Sequence, residues 1–362
     1  GLDEARQISQ IIIHPDDPDH VYVSSMGRAW GPSPERGVFR TKDGGKTWEK
    51  VLFKNDLTGT IDMVMSPKDP KVLFAAMWTF ERKAWGAFFG GPDGGLWKST
   101  DGGDNWTEIT DNEGLPEGSW GRVGLTMSAA DPKRVYALID NETQQGLYRS
   151  DDVGETWRLV STDANILARP FYFYHLEADP SNADHLWVPG NKMWSSKDAG
   201  ESWVLEPGVK DDFHDIWIDP KDPNRMIATN DGGTAVTLTG GKTWSGFSNQ
   251  SGAQMYRVDT DDQFPYHVYG NTQDLIVYRL PSASRWGGIP IHMTDFIGSG
   301  ETGRAIPKPG DPNIVYSLAT GATFGGATMF TVNNLKTGQA ETRPIWPEIL
   351  FGTPASEFKY RF

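Results

Sequence analysis

The sequence predicts an all-β protein of the β-propeller class, on three observations: a recurring turn motif, a recurring proline turn between its copies, and short alternating strands joining the two. The turn motif Thr41-Lys-Asp43-Gly-Gly45-Lys-Thr-Trp48 returns as Ser99-Thr-Asp101-Gly-Gly103-Asp-Asn-Trp106, as Ser150-Asp-Asp152-Val-Gly154-Glu-Thr-Trp157 and as Ser196-Lys-Asp198-Ala-Gly200-Glu-Ser-Trp203. A fifth copy closes on Gly241-Lys-Thr-Trp244 but carries Thr239 where the aspartate belongs. The tryptophans are 58, 51, 46 and 41 residues apart, the length of a four-stranded unit. Proline turns precede β-rich runs at Pro18, Pro70, Pro132, Pro223 and Pro312, and more loosely at Pro180 and Pro265. That makes seven units.

Each unit reads the same way along the chain. An apolar strand such as Ile11-Ile12-Ile13 leads into the proline turn, a second strand such as Val21-Tyr22-Val23 follows, a third ends in the motif, and a more polar fourth closes the unit. Helical periodicity is almost absent, so four strands per roughly 50 residues mean propeller blades. The expected blades are 5–55, 56–112, 118–162, 168–208, 211–250, 253–292 and 300–346, in one propeller domain over 1–362, with 347–362 as a C-terminal extension or the start of another blade. The motif itself has a mechanical reading. Its aspartate accepts turn amides, its glycine takes the positive φ the turn needs, and its tryptophan packs between sheets. Asp43, Trp48, Asp101, Trp106, Asp152, Trp157, Asp198 and Trp203 are therefore expected to be structural.

Composition narrows the function. With 34 Lys+Arg against 48 Asp+Glu, the chain carries a net charge of −14, which argues against a surface that tracks nucleic-acid phosphates. No stretch approaches the roughly 18 apolar residues of a spanning helix, so no membrane insertion is expected. The absence of cysteine removes disulfides, thiolate nucleophiles and Cys-ligated zinc together. The chain opens at Gly1 without an initiator Met or leader, and is expected to be a processed form or a piece of a longer protein.

The motif and the proline turns resemble those of the Asp-box (BNR-repeat) propellers, a group that includes sialidases, xyloglucanases and the sortilin ectodomain. Within it the chain is most similar to exported bacterial sortilin-like or glycosyl-hydrolase-like propellers. The segments that carry this are Arg36-Gly-Val-Phe-Arg40-Thr-Lys-Asp43-Gly-Gly, Phe74-Ala-Ala-Met-Trp78, Gln263-Phe-Pro-Tyr266-His-Val-Tyr269-Gly-Asn-Thr-Gln273-Asp274 and Glu357-Phe-Lys-Tyr360-Arg-Phe362. The resemblance implies a secreted, periplasmic or cell-surface protein. It also implies that the seven visible blades belong to a larger ring, such as the ten-bladed one of sortilin.

A propeller's site is expected at the mouth of its channel, where first strands begin and second-to-third-strand loops converge. Strand entries there carry Asp62, Arg122, Arg169, Tyr172, His214, Asp215, Gln254, Tyr256, Glu301 and Arg304. Two long loops, Ser25 to Gly37 and Trp78 to Gly95, add Trp30, Arg36, Trp78 and Trp85 on the same rim. Exposed aromatics flanked by charge suit stacking on sugar rings or gripping an extended peptide. The main expectation is thus an exported scaffold that binds a glycan or an extended peptide through Trp30, Arg36, Trp78, Trp85, Arg122, Arg169, Tyr172, His214, Tyr256 and Arg304. The alternative is a glycoside hydrolase. That chemistry needs two carboxyl groups, about 5 Å apart for retention or 6.5–9.5 Å for inversion, and Asp62, Asp215 and Glu301 are the candidates.

A sialidase clamp from Arg122, Arg169 and Arg304 with Tyr172 or Tyr256 as nucleophile is disfavoured, because the Arg-Ile-Pro signature is missing. The seven histidines show no His-x-x-x-His or His-x-His pair, so a transition-metal site is not indicated, and no cofactor is expected. The turns at Asn230-Asp231 and Asp259-Thr-Asp261-Asp262 have the oxygen donors for calcium but lack calcium-loop spacing, which favours ordinary turn chemistry.

Overall fold

The computed structural model describes residues 2–207, 212–246, 252, 254–273, 277–298, 303–319 and 328–345. Glu301 lies outside the described residues. The chain is all-β and of the propeller class: among the described residues seven antiparallel sheets follow one another, and the one helical turn is Ile291–Met293. Five sheets have four strands in chain order. The sheet at 213–237 has three among the described residues, and the sheet at 58–108 carries an extra strand, Gly86–Phe89, paired outside the main path. The strands fall into two compact units, residues 1–250 with five sheets and residues 251–362 with two.

In the first unit, the first strands of successive sheets lie against one another. Apolar cores fill the spaces between sheets, so the second, third and fourth blades are buried on both faces, whereas Ile11 and Ile13 of the first blade and Trp217 and Val236 of the fifth stay exposed. Tyr22 and Val38 of the first blade meet Met63, Leu73, Ala75 and Trp97 of the second, and Phe74, Ala76 and Leu96 of the second meet Val123, Leu125 and Ala137 of the third. This explains why the middle strand Leu73–Lys83 begins with six fully or nearly fully buried residues, Leu73-Phe-Ala-Ala-Met-Trp78, instead of an alternating pattern. At about 1.5–3 kcal/mol for each large apolar side chain removed from water, these inter-blade layers dominate stability. The second unit has its own core of Tyr269, Val277, Ile297, Ala305 and Val315.

The recurring motif forms the same turn each time. In the first copy Asp43 Oδ1 accepts the Thr47 amide at 2.9 Å and the Thr41 hydroxyl at 2.7 Å, Oδ2 accepts the Thr47 hydroxyl at 2.6 Å, and Thr41 Oγ1 accepts the Gly45 amide at 2.9 Å. The copies at Asp101, Asp152 and Asp198 repeat these bonds, with the Asn105 side-chain amide replacing a hydroxyl in the second. Beyond the first copy the tryptophans reach back towards the preceding blade: Trp106 packs on the core between the first and second blades, and Trp157 lies in the core between the second and third. Gly154 has φ +81°, and a Cβ there would sit 2.6 Å from the Phe74 ring of that preceding blade.

Candidate functional site

The site is built on irregularities in the first strands. Between Ile8 and Gln10, between Thr60 and Asp62, between Trp120 and Val123, and between Phe213 and Asp215, the pairing with the second strand slips. The extra residues are Ser9, Ile61 and His214, and in the third blade Gly121 and Arg122 together stand opposite the single residue Asp140. A bulge opposes an additional residue to one partner and re-aims the neighbouring side chains. Ser9, Ile61, Arg122 and His214 all line one cleft of about 690 Å³ in the first unit, so bulges in four of its five blades serve the same concavity.

One wall of the cleft is a run of rings. Trp78 stacks on Phe80 with centroids 4.7 Å apart, Phe80 lies 5.7 Å from Phe89, Phe89 stacks on Phe171 at 4.8 Å, and Tyr172 continues from Phe171 to meet His214 edge-on at 5.2 Å. All six line the cleft, as does Trp30, which is 65% exposed with the Arg82 guanidinium 6.0 Å from its ring. The loop bearing Trp30 is held from beneath by Arg36. That residue has no exposed surface and donates to the carbonyls of Leu57 at 2.7 Å, Arg28 at 3.0 Å and Gly31 at 3.4 Å. Arg36, expected as a ligand contact, is placed as a buried loop anchor.

The polar end of the cleft joins four blades. Asp62 of the second blade is 7% exposed, and its two oxygens accept the amides of Met63 and of Leu125 in the third blade, each at 2.8 Å. Thr126 accepts the Ala178 amide of the fourth blade at 3.1 Å and lies 3.5 Å from Glu177. His175 Nε2 meets Asp215 Oδ1 of the fifth blade at 2.9 Å.

These groups set one another's proton affinity. Burial raises Asp62, opposed by the charge of His175 and by its two amide donors. Burial also pushes Glu177 up to about 7. On His175 burial acts downward, but the bond to Asp215 and the charges of Asp62, Asp215 and Glu177 outweigh it and raise the imidazole to about 9. Asp215 is held below the usual carboxylate range: desolvation acts upward, and the hydrogen bond and charge of His175 and the Ile216 amide outweigh it. An ionised carboxylate, an imidazolium and two carboxyl groups with raised proton affinity thus share one polar cluster, the environment in which acid and base roles separate.

Of the expected residues, the cleft brings together Asp62, Asp215, Trp30, Trp78, Arg122, Tyr172 and His214. Arg122 donates to the Tyr172 carbonyl at 3.0 Å, and His214 Nε2 lies 2.6 Å from Asp231 Oδ1. Arg169 stands beside the lining, 5.5 Å from the Tyr172 ring and 3.5 Å from Asp212. Trp85 is 72% exposed in the turn of the Lys83-to-Gly86 hairpin, outside the lining. Tyr256 and Arg304 belong to the second unit, where Arg304 pairs with Asp259. Sequence reasoning missed His175, Glu177 and Phe171. The uninterrupted run Phe171-Tyr-Phe-Tyr-His175 was the available signal for them. Among the described residues no group of three or more acidic or histidine side chains is placed to hold a metal ion.

No family model matches the chain. It is similar to a xyloglucanase of Paenibacillus sp, at 27% identity over 180 residues that cover 42% of this chain and 16% of that protein. It is also similar to an oligoxyloglucan-reducing end-specific xyloglucanase of Emericella nidulans, at 25% identity over 316 residues covering 84% of this chain and 34% of that one. Among solved structures, an ancestral GH74 enzyme aligns with 93% of this chain and 46% of its own, at 14% identity and a TM-score of 0.48. The chain therefore spans about a third or less of the length of these curated relatives.

Proposed function

We propose that the first unit binds a glycan chain in the aromatic cleft, as an exported carbohydrate-binding propeller acting where polysaccharide is met outside the cytoplasm. The observation that carries this is the ring wall from Trp78 to Tyr172, facing a polar end made by Asp62, Arg122, His175 and Asp215. Apolar ring faces beside fixed donors and acceptors match a sugar, whose C–H faces stack while its hydroxyls hydrogen-bond. The similarity to xyloglucanases supports the same class of ligand.

Affinity electrophoresis in gels containing xyloglucan, with other neutral glucans and a panel of extended peptides as comparisons, tests the proposal. Wild type should be retarded by a glucan, and Trp30→Ala and Phe171→Ala should each reduce the retardation about tenfold or more without lowering the melting temperature. Retention by peptides alone would overturn the glycan reading.

One observation favours a second reading, glycoside hydrolysis: Asp62 and Asp215 line one cleft with proton affinities displaced in opposite directions. In that reading Asp62 donates a proton to the leaving oxygen and Asp215 acts as nucleophile or base. Against it, both Asp62 oxygens already accept amides that tie two blades. Release of reducing ends by wild type that disappears in Asp62→Asn and Asp215→Asn would establish the hydrolase, whereas binding without release leaves the scaffold.

A further inference from the structure

Phe89 lines a second concavity as well as the cleft. This pocket, about 390 Å³ in volume, is lined by Phe89, Gly91, Trp120, Asp140, Asn141 and Glu142 among others, all within the first unit. Two groups in it are left over from folding. Asn141 is 7% exposed, and its Oδ1 accepts the Thr143 amide and hydroxyl at 2.8 Å each and the Gln144 amide at 2.9 Å. Those donors fix which end of the carboxamide is oxygen, yet Nδ2 has no hydrogen-bond partner. A buried donor without an acceptor costs free energy and is uncommon in folded proteins.

The neighbouring Asp140 carboxylate is the second such group. It rests over Gly121, where a Cβ would lie 1.9 Å from Oδ2, so the bulge glycine of the third blade clears its position. The one bond that acts on its proton affinity is from the Arg122 amide, and burial raises it to about 6. Spare acceptor capacity therefore sits beside a spare donor, in a pocket that shares the Phe89 ring with the cleft.

We propose that this pocket is a subsite for one neutral sugar unit, continuous past Phe89 with the cleft, in which Asp140 accepts from and Asn141 donates to hydroxyl groups. The inference rests on the glycan reading of the cleft. A sugar hydroxyl is donor and acceptor at once, so adjacent hydroxyls complement an adjacent carboxylate and amide. The charges of Asp140 and Glu142 repel anions, which makes the subsite selective against uronic acids.

Calorimetric titration with cello-oligosaccharides of increasing length, alongside oligogalacturonates, tests this. Wild type should gain affinity with length until both concavities are filled. Asp140→Asn, which keeps the shape, and Asn141→Leu should each remove about tenfold of affinity for the longest neutral oligomers and leave the shortest unchanged. Trp30→Ala, by contrast, should weaken every length. Asp140→Asn should also narrow the preference for neutral over acidic oligomers. If wild type binds oligosaccharides but both pocket variants keep the full length dependence, the subsite is wrong and the cleft reading stands. If wild type binds no oligosaccharide of any length, both are wrong.

Discussion

At the scale of single residues, the chemistry depends on groups whose partners lie one blade away. Asp62 and Asp215 were legible as candidates because polar residues recur at one register of a β repeat. Their meaning was not legible, since the histidine that joins them enters from a third blade, 40 residues before Asp215. His175→Gln removes the imidazolium. Asp215 should then move upward from its depressed range, which carboxyl NMR titration reads, and an unmoved Asp215 would show that His175 does not hold its proton affinity down. Arg36 shows the opposite misreading. Its place in a long loop between aromatics suggested ligand contact, but three backbone carbonyls occupy its guanidinium. Arg36→Ala orphans them and should cost about 2–4 kcal/mol in urea denaturation. A change below about 0.5 kcal/mol would show that the loop holds itself.

At the scale of elements, the recurring turn was readable in advance because all its partners lie within eight residues of one another. The fifth copy provides an internal comparison. There the Thr239 hydroxyl accepts the Thr243 amide at 3.0 Å and pairs with the Thr243 hydroxyl at 2.9 Å, so the turn closes without a carboxylate. Thr239→Asp restores an acceptor with two oxygens and should raise the melting temperature at neutral pH. A lowered melting temperature would mean that the fifth blade has repacked around the threonine. The aspartates of the intact copies are held down by their hydroxyl and amide donors, with Asp43 and Asp101 at about 2. A group depressed in the folded state stabilises above its unfolded value and loses that contribution as pH falls through the folded one. The turns should therefore weaken between about pH 4 and pH 2, which scanning calorimetry with Asp43→Asn as control will detect.

At the scale of the molecule, the fold was legible because a repeat announces itself many times over, whereas the cleft occurs once. The polar cluster of the first unit also gives the protein a pH profile. Glu177 is raised to about 7 and His175 to about 9, so each contributes stability that is complete below its unfolded value and fades as pH climbs through its folded one. Together with the turn aspartates, which fail in acid, this places maximal stability in mildly acidic solution, near pH 4 to 5, with a decline towards pH 9. His175→Gln should flatten the alkaline arm. A wild-type melting curve that keeps rising from pH 5 to pH 9 would contradict the proton affinities assigned to the cluster.

The bulges in the first strands carry a consequence for how such a cleft changes over evolutionary time. In an ordinary strand, deleting one residue throws every following side chain onto the wrong face and ruins the core. At His214 the sheet already holds one residue more than its partner strand can pair, and that residue is exposed, whereas the bulge residue Ile61 packs against an apolar core. Losing His214 would restore a regular ladder beyond the bulge while presenting a different set of side chains to the cleft. New binding preferences are therefore accessible here through single-codon deletions that spare the apolar layers, a route closed to strands in which every residue is paired.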